Sequence, residues 1–473
     1  MATGKSKNKE AYELIIIGSG SASFAGAIRA AELGKRVAMI ERGTLGGTCV
    51  NTGCIPSKTL IRAAEARQRA EHPPFRGIHP KGAEVDFSAV IREKDMLVDS
   101  LRQAKYRDVL RSYASIDLIA GEASFISGHA VKMGEQILRG EYFLVATGAS
   151  PFVPPIPGLD TVQYLTSTTA FALKKLPSSM IIIGGRYIAL EVAQMFQRLG
   201  CRVTVLQRSE RILPAEDPDL TEALQGYLEG EGLTVLTGVS LSRVSQSESF
   251  QVAFVRNGEK HSLNAEQLVV AAGRTPNTAG LNLAEIGVAL DQDGAVSADE
   301  YCRTTLPHVY GAGDVIGGPA FVYTAAYEGK LAVDNAFGGT GRKRDYSVVP
   351  YVIFTDPQVA RVGLNELEAR RQGIEVDIAK LSLDHVPRCL AARDTRGFIK
   401  LLREKGTDRL LGASILAPEG GELLMEVAMT MQYKIPLSEI AAMFHPYLTL
   451  GEGVKLAAQM FNKDVQKLSC CAV

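Results

Sequence analysis

Apolar residues along this chain gather into short runs closed by glycine or a polar residue, and one order of runs occurs twice. Tyr12–Ile17 reads as a strand, Gly18-Ser19-Gly20 as a turn, the segment to Gly34 as a helix, and Lys35–Ile40 as a second strand ending at Glu41. Met180–Ile183, Gly184-Gly185-Arg186, a helix to Gly200 and strand Arg202–Leu206 repeat the unit. Between the two, Tyr142–Ser150 reads as a strand leaving the first domain, and Pro151 to Pro157 as a stiff linker. After a helix over Thr324–Ala336 the pattern changes. The runs Val348–Phe354 and Phe398–Leu402, with a turn at Lys405–Asp408, predict antiparallel strands, and Leu423–Tyr433 and Leu437–Phe444 predict helices on that sheet.

The predicted fold class is α/β: two Rossmann-like dinucleotide-binding domains plus a C-terminal α+β domain. A length of 473 residues suits about three domains. The expected boundaries are 1–152 and 277–346 for the first nucleotide-binding part, 153–276 for the second, and 347–473 for the last. The 52 basic and 52 acidic residues cancel, so no global field favours nucleic acid or an anionic membrane. No apolar stretch follows the N-terminal lysines, and Leu14–Ile17 is far too short to span a bilayer. A cytoplasmic protein is expected.

Each repeated unit carries chemistry. Gly18 permits a tight turn, Gly20 lets the backbone approach a pyrophosphate at a helix N-terminus, and Glu41 can accept hydrogen bonds from ribose hydroxyls. Ser23 takes the third glycine's place and is small enough for close helix–strand packing. In the second unit Arg186 replaces the second glycine, and Gln207 stands where an acid would favour NAD. Arg208 and Arg211 follow, and basic residues without an acid suit a 2′-phosphate, so NADPH is expected rather than NADH. Two dinucleotide sites in one chain imply a hydride relay, most economically through a flavin.

Cys49 and Cys54 stand five positions apart among glycines, ahead of a predicted helix. In a cytosolic chain such a pair points to redox or metal chemistry rather than a structural staple. Cys201, Cys302 and Cys389 stand alone and are expected to be inert, buried or half-buried thiols.

The stretches Gly18–Gly20 with Glu41, Gly46-Gly47-Thr48-Cys49-Val50-Asn51-Thr52-Gly53-Cys54-Ile55-Pro56-Ser57-Lys58, Ala146-Thr147-Gly148, Gly184–Glu191 and Tyr310-Gly311-Ala312-Gly313-Asp314 resemble the flavoprotein disulfide reductases, the class I pyridine nucleotide-disulfide oxidoreductases. The resemblance runs from Leu14 to about Glu452 and implies FAD in the first nucleotide domain, NADPH in the second, and a homodimer whose chains complete each other's active sites. It implies that Cys54 faces the flavin as the charge-transfer thiolate while Cys49 exchanges with substrate, and that the two form the redox-active disulfide. Lys58 and Glu191 match the pair near the flavin N5, and Asp314 the ribityl ligand. Thr48, Thr147, Gly148 and Gly273 join the cofactor-binding set.

The C-terminal end departs from the commonest members, which carry H-P-T-x-x-E. Here His445-Pro446-Tyr447-Leu448-Thr449-Leu450 keeps the histidine, replaces the threonine by Tyr447, and puts Leu450 where the glutamate would be. A leucine cannot orient an imidazole, so ordinary disulfide chemistry should be impaired. The tail ends Cys470-Cys471-Ala472-Val473, and two soft thiolates on a chain end suit a soft, linearly coordinated cation. With Pro446–Thr449, Lys455–Gln459 and Phe461–Val465, this end resembles the mercuric reductases within the superfamily. A catalytic core is expected, without the small N-terminal metallochaperone domain of many members. His445 stands where that group is expected to hold an apolar residue, and Arg186 is unusual in the nucleotide turn.

What the resemblance implies is reduction of Hg(II) to Hg(0). Hg(II) would arrive as a thiol complex, be captured by Cys470 and Cys471 of one chain, and pass to Cys49 and Cys54 of the partner. Tyr187 would flank the nicotinamide pocket and Tyr447 the metal's path. The competing readings are a reductase of small disulfides, which His445 favours, and a flavoprotein that binds soft metals without turnover.

Overall fold

The computed structural model describes residues 11–464. Contacts divide the described residues into two compact units: 11–56, 92–152 and 273–344 form one, and 57–91, 153–272 and 345–464 the other.

In the first unit, strand Tyr12–Ile17 lies between Val37–Glu41 and Gln136–Val145, parallel to both, with Ile15 beside Ala38 and Phe143. Ile116–Ala120 extends one edge and Val309–Gly311 also pairs with Gln136–Val145, while Ala130–Met133 and Ser124–Ser127 turn back antiparallel. Ile15, Ile16, Phe143 and Val145 are fully buried or nearly so, as expected of strands covered on both faces. The run Tyr142–Ser150 is broken in two. The strand ends at Val145 and resumes at Ala149–Pro151, because Gly148 between them takes a left-handed φ of +68°.

Helices Ser21–Glu32 and Val322–Phe337 cross on this sheet through glycine. A Cβ on Gly329 would lie 2.0 Å from the Ala22 carbonyl oxygen, and one on Gly26 would lie 3.2 Å from that of Gly329. Only bare backbones pack that closely. Ser23 is fully buried in the same layer, so the small residue at the third position does preserve close packing.

In the second unit, the parallel strands Thr234–Leu236, Arg202–Leu206, Ser179–Ile183, Gln267–Val270 and Leu165–Thr166 form a Rossmann-like sheet. An antiparallel trio, Ser240–Gln246, Phe250–Arg256 and Glu259–Ala265, accompanies it. The C-terminal part is an antiparallel sheet in the order Tyr351–Ile353, Gln358–Gly363, Leu410–Ala417, Phe398–Glu404, Val376–Ser382, carrying helices Leu424–Gln432, Leu437–Ala442 and Gly451–Gln459. Its first strand is shorter than the hydrophobic run Val348–Phe354, since Pro350 has no N–H to give a ladder. No described helix is long and apolar enough to cross a membrane.

Candidate functional site

Both glycine turns are built by one device. At Gly18 φ is +111°, and a Cβ there would lie 2.4 Å from the Ala146 carbonyl oxygen. At Gly184 φ is +120°, and a Cβ would lie 2.3 Å from that of Ala271. In both, the glycine N–H donates to a carbonyl at the end of the next strand, that of Ile40, the penultimate residue, or Leu206, the last, at 2.8 and 2.9 Å. Each strand end is thereby tied, and the helix that follows starts with its N–H groups open: Ser21–Glu32 in one case, Tyr187–Leu199 in the other.

The first turn is open on the side of its helix N-terminus. A Cβ on Gly20, the N-cap, would meet nothing within 4 Å, so room remains for a pyrophosphate against the helix N-terminus. Beyond the strand ends a cavity of about 70 Å³ is lined by Gly18, Glu41, Arg42, Gly121, Thr147 and Asn277, among others. Glu41 is fixed at its rim, accepting from Ser19 Oγ at 2.6 Å and from the Gly43 N–H at 2.6 Å. Thr147 and Asn277 exchange hydrogen bonds across the floor, Thr147 Oγ1 to the Asn277 carbonyl at 2.7 Å and Asn277 Nδ2 to the Thr147 carbonyl at 2.9 Å. Asp314 opens a 3₁₀ turn after strand Val309–Gly311, with Arg274 Nε 3.4 Å from its carboxylate. Gly273 precedes that arginine at φ +141°.

The redox loop is seated directly on this turn. Gly46 and Gly47 both have left-handed φ, +102° and +65°, and a Cβ on Gly47 would lie 2.7 Å from Gly20 Cα. Ser19 Oγ accepts from the Gly46 N–H at 3.1 Å while donating to Glu41. Buried Ser19 thus joins Glu41 to the cysteine loop, a link nothing in the motif signals.

Cys49 sits in a short helix, Gly47–Asn51, rather than ahead of one, and Cys54 is the first residue of helix Cys54–Glu71. Cys49 is half-buried, Cys54 and Thr48 exposed. Arg102 Nε donates to Asn51 Oδ1 at 2.7 Å, and Asn51 Nδ2 to the carbonyls of Leu45 and Gly47, so one arginine from helix Phe87–Arg102 clasps the whole loop. Tyr106, in the π-helical turn Gln103–Arg107 that follows, packs on Gly46 and edge-on to Phe24 at 4.8 Å. Burial, the larger cause, and the charge of the two cysteines push its phenol up. Tyr323 is raised to about 12, by burial first and Cys54 second.

Lys58 lies one turn along the Cys54 helix, its Nζ 2.8 Å from Glu191 Oε2 and 4.4 Å above the Phe354 ring. Glu191 Oε1 accepts the Phe354 N–H at 2.9 Å, so the carboxylate is held at both oxygens. In the second turn, Arg186 is the exposed N-cap and Tyr187 is 44% exposed. Arg208 is exposed at the strand end, whereas the half-buried Arg211 directs its guanidinium toward the Glu216 carbonyl and Thr221 Oγ, each at 3.5 Å.

His445 does have a carboxylate, but not from the position expected. Glu426, on helix Leu424–Gln432, places Oε1 2.7 Å from His445 Nε2, while Nδ1 lies 3.3 Å from the Met443 carbonyl. Tyr447 is 53% exposed. Cys470 and Cys471 lie outside the described residues. Cys201, Cys302 and Cys389 are buried, their thiols raised by burial to about 12, 12 and 11, and so are inert near neutral pH.

The molecule's relatives carry the same plan. Residues 12–329 match the family described as pyridine nucleotide-disulphide oxidoreductase, and residues 349–458 match its dimerisation domain. The chain is 46% identical over 462 residues to a mercuric reductase of Staphylococcus aureus, covering 98% of this chain and 84% of that one. It is 43% identical to one from Streptomyces lividans, with 98% of each chain covered. Among solved structures, the Cu(II) complex of the HOCl-induced flavoprotein disulfide reductase RclA from Escherichia coli is similar, with a TM-score of 0.86 at 32% identity over 95% of this chain and 99% of that one. The chain therefore belongs to the pyridine nucleotide-disulphide oxidoreductase family, which works with a flavin and a pyridine nucleotide, and carries that family's dimerisation domain.

Proposed function

We propose that this chain is an NADPH-dependent flavoenzyme that reduces Hg(II) to Hg(0), taking mercury as a thiol complex, with FAD as its flavin. The observation that carries the reading is end-to-end similarity to mercuric reductases over 98% of the chain. The balance is one NADPH and one Hg(II) giving NADP⁺, a proton and Hg(0). A bound flavin supplies a two-electron relay between nicotinamide and disulfide.

The chain's residues do the rest. Gly18, Gly20, Ser23, Glu41, Thr48, Thr147, Gly148, Gly273 and Asp314 would hold FAD, with Glu41 on the ribose. Gly184 and Arg208 would hold NADPH, Tyr187 would cover the nicotinamide pocket, and Arg211, turned toward its own chain, would shape the turn. Lys58, fixed by Glu191, places a cation where reduced flavin carries charge. Cys54 opens an 18-residue helix whose free N–H groups favour negative charge on sulfur. Two such sulfurs, Cys49 and Cys54, suit linear, soft Hg(II), and Cys470 and Cys471 of a second copy would deliver it past Tyr447. Residues 1–152 and 277–346 would serve FAD, 153–276 NADPH and 347–473 dimerisation, in a cytoplasmic enzyme.

Glu426 favours a second reading, a reductase of small disulfides, because it gives His445 the carboxylate that Leu450 cannot. Against it, both ring nitrogens of His445 face acceptors of their own chain, so neither is turned to a thiol.

One assay separates these. NADPH oxidation should accelerate with Hg(II) in excess thiol and stay near background with glutathione disulfide or lipoamide. Turnover with the disulfides alone would overturn the mercury reading, and stoichiometric binding without turnover would leave only sequestration. Cys470→Ala/Cys471→Ala should lose most rate when mercury is offered with bulky or excess thiols. For the nucleotide, Arg208→Ala should raise KM for NADPH about tenfold or more, the loss of one charge-assisted phosphate contact, with KM for NADH little changed. Equal changes for both nucleotides would remove Arg208 from the 2′-phosphate site.

A further inference from the structure

The second unit holds a cavity of about 640 Å³ that none of this chemistry uses. Five acids line it: Glu65, Glu231, Asp356, Asp394 and Glu419. Each is already matched. Arg198 bridges Glu231 and Asp356, with Nε 2.7 Å from one and Nη2 2.9 Å from the other. Arg396 holds Asp394 and Asp356 at 2.7 and 2.9 Å. Arg62 holds Glu65 at 2.7 Å and grips Glu419 with both Nη atoms, at 2.6 and 2.9 Å.

Five arginines face these five acids on the lining, but two of the arginines take no part in the pairing. Arg388 and Arg393 have no carboxylate within 4 Å among the described residues, and Arg393 instead stacks over Phe75 at 5.5 Å. Arg393 also holds a left-handed φ of +54° at the end of helix Pro387–Ala392, a backbone state that an arginine adopts at a cost. Arg69 is 3.8 Å from a Glu419 that Arg62 already occupies, and His72 adds an imidazole to the lining. Cys389 opens on the same space, but its burial keeps it a neutral thiol, so the cavity is not a second soft-metal trap.

We propose that this cavity binds a small polyanion, one carrying two or more carboxylate or phosphate groups, through the guanidinium groups of Arg388 and Arg393. Two arginine forks on the lining suit two separate oxyanion groups, which a monoanion does not provide. The site stands independently of the mercury reading.

Titration calorimetry of the flavin-loaded dimer at low ionic strength, with citrate and with pyrophosphate, tests this. Saturable binding of either is expected, weakening with added salt, and weaker by at least about tenfold in Arg388→Ala/Arg393→Ala. Citrate alone would mark a carboxylate site, pyrophosphate alone a phosphate site, and both a general polyanion site. No binding of either, or unchanged affinity in the double variant, would overturn the proposal. The variant's Hg(II) turnover should match the parent's, since neither arginine touches the redox loop, and its anion-free melting temperature should fall by no more than the loss of the one Arg393–Phe75 contact explains. A parallel Arg388→Lys variant should keep part of the affinity, as charge without the fork would.

Discussion

Cys54→Ser should lower mercury-dependent NADPH oxidation by on the order of 10³-fold or more, while flavin stays bound. The sulfur is exposed at a helix start and fills no core, so serine there leaves the packing intact. What it removes is chemistry. A hydroxyl at neutral pH is neither a nucleophile toward a thiol-bound metal nor a soft ligand, and it cannot form a disulfide with Cys49. Cys49→Ser should be as inactive, because neither sulfur alone can take up an electron pair as a disulfide. Steady-state rates beside the flavin absorbance of the purified variants make the check. Near-parental turnover in either would show that electrons reach the metal without the pair.

Gly18→Ala is the second large effect, and it acts through backbone. The position combines a left-handed φ with a carbonyl oxygen 2.4 Å from where Cβ would stand. Strain and clash together should cost roughly 2–6 kcal/mol. Relief is available only by moving Ala146 or the turn, and either movement displaces the N-terminus of helix Ser21–Glu32 and the redox loop seated on it. The variant should therefore purify with flavin content reduced at least about tenfold, and melt earlier than the parent apoprotein. Full flavin occupancy at an unchanged melting temperature would show that the turn yields more easily than its contacts imply.

The glycine turns and the acid Glu41 were readable because each answers a local demand: a positive φ, a strand end, an acid at the end of the next strand. The same holds for Cys49 and Cys54, whose spacing alone marks them. The supports were not readable. Ser19 reaches Gly46 across 27 positions, Arg102 reaches Asn51 across 51, and Glu426 reaches His445 across 19, and no periodicity in the chain records such pairs. The His445 case shows the limit well. Leu450 removes a carboxylate at the expected spacing, yet the fold returns one from a neighbouring helix. Element ends shifted for similar reasons: the strand after Pro350 and the break at Gly148 follow backbone chemistry that hydrophobic runs do not register.

The two glycine turns differ at their middle residue, Ser19 against Gly185, and at the N-cap. Gly20 and Arg186 hold equivalent N-cap positions, both extended, with φ of −79° and −98°, and a Cβ at Gly20 touches no protein atom within 4 Å. Nothing in the chain's own assembly requires glycine there. Under the proposed function the open side of Gly20 would face the pyrophosphate, while the crowding beside Gly18 and Gly184 belongs to the backbone itself. An arginine at the N-cap of the second turn therefore leaves intact the backbone architecture that both copies share.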